Sequence, residues 1–148
     1  MSGGQRNLDL GVIGNSEVAA LIDTEGTIVW ACLPRLDGDP VFCALLDSDR
    51  DPGAQGLFAI DLVDCAGVTQ RYLRNTAILE TTMSDVHGNR LRVVDFCPRF
   101  RARGRIFRPA MVIRMIEPVS GRPMVRIRVR PRFEHGELAA EVLRGSHH

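Results

Sequence analysis

Trp30, Arg35 and Asp37 fall within eight residues, in Trp30-Ala31-Cys32-Leu33-Pro34-Arg35-Leu36-Asp37. An indole offers a flat apolar face with one donor, a guanidinium a planar fork of donors, and a carboxylate only acceptors. Together they suit recognition of a polyhydroxyl ligand or of another protein surface. The bland alternative is a hairpin with a buried tryptophan and a surface ion pair. Further carboxylates follow at Asp39, Asp47, Asp49 and Asp51. Two carboxyls flanking a bond can cleave a glycoside, one as acid and one as base or nucleophile. Here Asp47-Ser48-Asp49-Arg50-Asp51-Pro52-Gly53 reads instead as a solvated turn, and it lacks the ligand series of a calcium loop.

The candidate residues need a frame, and the chain supplies one made of strands. A strand ending at Asp23 runs into a turn closed by Gly26. A second strand, Thr27–Cys32, leaves that turn and stops where Pro34 removes a backbone donor. The loop with Arg35 and Asp37 is thus mounted on a hairpin. Apolar alternation predicts strands over Val18–Asp23, Thr27–Cys32, Leu57–Leu62, Thr69–Arg74, Ala77–Met83, Arg90–Phe96, Ala110–Ile116 and Met124–Arg130. Asp85-Val86-His87-Gly88-Asn89 and Pro118-Val119-Ser120-Gly121-Arg122 read as hairpin connections. In the last strand Val125, Ile127 and Val129 face one way, and Arg126, Arg128 and Arg130 the other. One short helix is expected near residues 40–47, with Asp39 as its N-cap and Pro40 at its first position. The fold class is therefore all-β, an antiparallel β-sandwich forming a single domain over residues 1–144. Residues 145–148, Gly-Ser-His-His, read as a tag remnant.

Other chemistries find little purchase. The four cysteines, at 32, 43, 65 and 97, form no Cys-x-x-Cys pair, so no metal site and no cofactor is expected. Cys32, Cys43 and Cys97 sit in apolar company, as small buried hydrophobes do. The start lacks the regions of a secretory signal, so reduced thiols in the cytoplasm are expected. No run approaches the ~18 apolar residues of a membrane span. There is no Gly-x-Ser-x-Gly, and Gly11-Val12-Ile13-Gly14-Asn15 lacks the setting of a nucleotide loop.

All 19 basic residues are arginine. Residues 1–89 hold 5 Arg against 13 acids, whereas residues 90–132 hold 13 Arg against 2 acids. The run from Arg99 to Arg108 has the look of a nucleic-acid arm with interleaved phenylalanines. With a net charge of only +1, it reads rather as a surface loop whose arginines pair with acids of the first 89 residues, and no nucleic acid is expected.

Three stretches, in order, carry a family resemblance. The first runs from Leu10-Gly11-Val12-Ile13-Gly14-Asn15 through Trp30-x-Cys32-x-Pro34-Arg35-x-Asp37 to Pro40-Val41-Phe42-x-Ala44-Leu45-Leu46. The second is Gln70-Arg71-Tyr72-Leu73-x-x-Thr76-x-x-Leu79-Glu80-Thr81, followed by Val94-Asp95-Phe96-x-Pro98. The third leads from Val125 into Arg130-Pro131-Arg132-Phe133-Glu134-x-Gly136. Together they resemble the amino-terminal β-domain of glycoside hydrolase family 15, the bacterial glucoamylase and trehalase-like enzymes. Val29, where the family often has Asp, and Gly38-Asp39, in place of Ser-Pro, depart from its pattern.

The resemblance implies a supersandwich-like fold and a parent enzyme that inverts at α-glucosides. In the family the two catalytic glutamates lie in an α/α barrel that follows the β-domain. No catalytic residue is therefore carried over, and the chain alone is expected to be inactive. The expected partner is that barrel, with Trp30, Arg35 and Asp37 at the substrate loop or the interdomain contact. An α-glucoside ligand, and a homodimer or larger assembly formed through β edges, are further expectations. The alternative is an independent carbohydrate-binding or interaction module that stacks sugars on Trp30 and Tyr72.

Overall fold

The computed structural model describes residues 8–46, 55–133, 138–139 and 141. The acidic cluster 47–53 and residues 145–148 lie outside the described residues. The chain is built almost wholly of strands: β1 Gly11–Gly14, β2 Ala19–Ile22, β3 Ile28–Cys32, β4 Pro40–Phe42, β5 Leu57–Leu62, β6 Cys65–Tyr72 and β7 Leu79–Asp85. Then come β8 Arg90–Phe96, β9 Phe100–Ala102, β10 Arg105–Phe107, β11 Ile113–Ser120, β12 Val125–Arg130, β13 Arg132–Phe133 and β14 Leu138–Ala139.

Two antiparallel sheets face each other. The first has the order β1-β2-β3-β5-β12, with β4 also pairing with β3; the second has the order β11-β8-β7-β6. β1 packs against β7 and β8, and β5, three places along the first sheet, packs against β7 again. Gly11 of β1 lies against Leu79, at the start of β7, whereas Ile60 of β5 shares a cluster with Met83, farther along the same strand. Alternation decides which side chains enter the gap. Leu91, Val93, Asp95 and Cys97 point inward from β8 and its end, and Leu79, Thr81, Met83 and Asp85 point inward from β7. Ile13, Ala20, Ile22 and Ile28 join Leu79 in one apolar cluster, and Ile60, Leu62, Met83, Leu91 and Val93 form the other. Phe58 packs on both.

Polar side chains of the second sheet fasten it to the first. On its edge strand β11, the Arg114 side chain is 2% exposed and pairs with Asp95 at 0%. The guanidinium donates from Nε to Asp95 Oδ1 (2.7 Å) and from Nη2 to Oδ2 (3.1 Å). Nη1 donates to the Phe58 carbonyl at 2.6 Å, and Nη2 reaches the Gly26 carbonyl. The group also lies 4.8 Å from the centre of the Phe58 ring. Burial raises the Asp95 carboxyl above its ordinary range, and Arg114 opposes that rise. On the opposite edge strand, Gln70 donates to the Asp23 carbonyl and Tyr72 bonds the N–H and carbonyl of Val12.

Two turns use one device. Asp23 Oδ1 accepts the N–H groups of Glu25 and Thr27, and Asp85 Oδ1 accepts those of His87 and Asn89. Each turn needs a left-handed residue three places after the Asp; Gly26 (φ 83°) and Gly88 (φ 87°) supply it without a Cβ penalty. In the second turn Asn89 Nδ2 also donates to Asp85 Oδ2, and that bond holds the Asp85 carboxyl below its ordinary range.

Three expectations need correction. Pro40–Phe42 is not the start of a helix but strand β4, drawn into the sheet by pairing with β3; only a 3-10 turn over Ala44–Leu46 remains of it. The segment Pro118–Arg122 is no hairpin connection, because β11 runs through Ser120 and the chain then crosses to the other sheet. The run Arg99–Arg108 is not a loop but the β9–β10 hairpin. Gly11–Gly14, set aside as a nucleotide loop, is an edge strand in which a Cβ on Gly11 would strike Leu79 at 2.7 Å.

Replacing Arg114 by Ala should strand the Asp95 carboxylate and cost about 3–5 kcal/mol in urea unfolding. The double variant Arg114→Met with Asp95→Leu should recover most of that loss; equal loss in both would refute a pairwise origin. Asp85, a depressed carboxylate, should stabilise the fold above its ordinary unfolded value of about 4. That contribution is lost as pH falls through its lower folded value. The stability gap between wild type and Asp85→Asn should accordingly narrow in acid, and a gap independent of pH would contradict it.

Candidate functional site

Trp30 lies on β3, directly across from Leu21, which in turn lies across from Val12. Their inward neighbours Ile13, Ala20 and Ala31 are core, so this row belongs to the outer face of the first sheet. Trp30 is half-buried there rather than sunk in the core. Cys32, two residues on, shares that face. Burial pushes its thiol up, the Trp30 side chain opposes this by a hydrogen bond, and Asp39 adds to the rise. Asp39 immediately precedes Pro40, which pairs with Cys32 to begin β4.

The loop between β3 and β4 holds the other two residues. It opens with a cis Leu33–Pro34 bond and tightens through the Gly38 N–H to the Arg35 carbonyl (3.1 Å). Arg35 grips Asp37 with both arms: Nε to Oδ1 and Nη2 to Oδ2, each 2.8 Å. The bond raises the Arg35 pKa and lowers that of Asp37. Both side chains remain 70% exposed. Position and pairing therefore place Arg35 and Asp37 on the exposed loop at the end of β3 whose outer face carries Trp30. An Asp already held by a bidentate guanidinium is a poor general base, but the pair presents unused edges to a ligand or a neighbouring surface.

Tyr72, the other stacking candidate, is committed through its hydroxyl to the Val12 backbone and keeps a half-exposed ring. A cavity of about 310 Å³ near β5 and β6 is lined by Glu25, Asp61, Leu62, Cys65, Gly67 and Met83, among others. It contains two carboxylates, yet Asp61 is held by Arg128 at 2.9 and 3.1 Å. Cys97 is inert as a nucleophile, since burial pushes its thiol up to about 11. Among the described residues no three His, Cys, Asp or Glu side chains gather as a metal site. No helix among them is long and apolar enough to cross a membrane.

Sequence reasoning missed Asn15 and the Asp95–Arg114 pair. Asn15 is buried; its Oδ1 accepts from Glu17 and Val18 N–H, and its Nδ2 donates to the carbonyls of Pro98 and Pro109, each at 2.8 Å. The available signal was an Asn ending an apolar strand, and an Asp flanked by Val93, Val94 and Phe96, where an unpaired charge has no place.

The model of the family described as trehalase-like, N-terminal, matches residues 6–146. The Thermoplasma volcanium protein named trehalase is 33% identical over 127 residues, covering 86% of this chain and 20% of the relative. Trehalase 1 of Sulfolobus acidocaldarius is 40% identical over 90 residues, covering 60% of this chain and 15% of the relative. Mycobacterium tuberculosis trehalase is 26% identical over 145 residues, 89% of this chain and 21% of the relative. This chain thus spans about a fifth or less of the length of these relatives. No solved structure matches it significantly. Matched along nearly its whole length, this all-β chain belongs to the family of trehalase-like N-terminal domains.

Proposed function

We propose that this chain is the non-catalytic N-terminal β-domain of an enzyme that hydrolyses an α-glucoside, trehalose before a glucoamylase substrate. In this reading it packs on a catalytic α/α barrel and supports it. What carries the reading is the family match along residues 6–146, taken with relatives named trehalase whose remaining four-fifths or so lie beyond the match. Trp30 on the outer face, with the Arg35–Asp37 loop at the end of its strand, forms the contact to the barrel or to the sugar in its mouth. An exposed ion pair contributes little to stability, so these two residues are free to serve an interface. Four free thiols favour a reducing, cytoplasmic setting.

The chain alone should release no glucose from trehalose or maltose. In an enzyme that joins this domain to its barrel, Arg35→Ala and Asp37→Ala should each lower activity about tenfold while shifting Tm by only a few degrees. Unchanged activity with a lost Tm would reduce the pair to a loop brace and reject the site.

Self-association has its own motive. On the edge strand β12, Ile127 stands across from Ile60, and Val129 from Phe58, so all four share the inner face. Ile127 and Val129 are nevertheless 55% and 53% exposed. A second copy covering them would bury apolar surface and an open strand edge. Light scattering should then give a mass of at least twice 16.4 kDa that falls on dilution; a single-chain mass at every concentration would exclude it.

A further inference from the structure

We infer that the β9–β10 hairpin is a docking arm for a protein surface that carries carboxylates around apolar side chains. The inference stands apart from the proposed function and uses none of its residues. The arm's root is fixed. Pro98 and Pro109 flank it, and the buried Asn15 amide donates to both of their carbonyls. The tip is a tight turn with Arg103 (φ 48°) and Gly104 (φ 73°) both left-handed, the geometry that suits a two-residue hairpin. Between root and tip the register pairs Phe100 with Phe107, Arg101 with Ile106 and Ala102 with Arg105. Every one of these six is exposed except Ala102, which is half-buried.

An isolated two-stranded hairpin is marginal in water, and this one displays phenylalanine, isoleucine and arginine together. Arg99, Arg101, Arg103, Arg105 and Arg108 have no acid among them in sequence. None makes an ion pair with a described residue. Arginines elsewhere in the fold do pair, among them Arg35, Arg71, Arg92, Arg114 and Arg128. The internal neutralisation expected for this run is therefore absent among the described residues. Many of the acids have other work: Asp23 and Asp85 close turns, while Glu80, Asp61, Asp95 and Glu117 hold other arginines.

The arrangement selects the partner. Guanidinium groups grip carboxylates with two bonds, and Arg and Phe are enriched where protein surfaces meet. Phe100 and Phe107 stack on each other at 5.4 Å and 14°, so they are not splayed to take a base between them. A long polyanion would also meet the acidic excess of residues 1–89. The apolar pair lies at the root and the cation at the tip, the reverse of the order a bilayer would require. Each face mixes a cation with apolar groups, so the partner contacts both.

The test uses the whole chain and a fluorescein-labelled peptide of about a dozen alternating Glu and Leu residues. A thymidine oligonucleotide of similar length and vesicles of phosphatidylcholine with phosphatidylglycerol serve as the competing probes. The peptide should bind most tightly. Arg101→Gln, Arg103→Gln and Arg105→Gln combined should weaken it about tenfold or more. Phe100→Ala with Phe107→Ala should weaken it severalfold, and Arg126→Gln, an exposed arginine on β12, should leave it unchanged. No measurable peptide binding, binding unaffected by the triple change, or tighter binding to the oligonucleotide or the vesicles would each overturn the arm as a protein-docking element. Circular dichroism of each variant confirms the fold, since the arm lies outside both apolar clusters.

Discussion

The buried Arg114 guanidinium ties together parts of the chain that sequence holds far apart. One group meets the Asp95 carboxylate on β8, the Phe58 carbonyl on β5 and the Gly26 carbonyl in the β2–β3 turn. A cation out of water is tolerable only when its donors are used and its charge is matched. Here Asp95 supplies the charge, two carbonyls take further donors, and the Phe58 ring covers a face. The pair thus demands that both sheets be present and in register. A slip of one residue in β11 would turn Arg114 to the outer face and leave Asp95 alone in the core.

The second sheet is held at both of its edges, by Arg114 on β11 and by Gln70 and Tyr72 on β6. The two fastenings act on backbone carbonyls of the first sheet, so they specify position more than they add cohesion. Cohesion comes from the two apolar clusters, which Phe58 joins. With the layers so fixed, the β3–β4 loop leaves the frame at a defined point, where Cys32 and Pro40 pair. The β9–β10 arm leaves at another, where Asn15 holds its root. The loop is thus anchored by strand pairing and the arm by the buried Asn15 amide.

Charge is distributed by the same logic. The sequence divides into an acidic first part and a basic second part, and the fold folds one over the other. Arg128 meets Asp61 across β12 and β5, and Glu80 on β7 sits between Arg71 on β6 and Arg92 on β8. Cross-strand pairs of this kind bring Asp61 and Glu80 of the acidic part to arginines of the basic part. The arginines of the arm take no part in these pairs, and the β9–β10 hairpin belongs to neither of the two main sheets.

By itself the sequence determined the all-β class, most strand positions and the hairpin nature of the 23–27 and 85–89 turns. Those features depend on period-2 alternation and on Asp and Gly at fixed offsets, which act over a few residues. It also marked Cys32, Cys43 and Cys97 as buried, through their apolar neighbours. The exposed loop after Pro34 was legible too, and so was its ion pair, since Arg35 and Asp37 are two residues apart. What the sequence could not reveal was which strands become neighbours. Pro40–Phe42 carries helix-start chemistry but pairs with β3, because a tertiary partner outweighs a local propensity of a few tenths of a kcal/mol. Pro118–Arg122 has the residues of a hairpin yet joins two sheets, since turn chemistry does not say whether the next strand stays in its layer. Only the tertiary structure brought Asp95 to Arg114 and Phe58, and Asn15 to Pro98 and Pro109. Those contacts join residues 19 to 94 positions apart, and no local pattern encodes a distance of that kind.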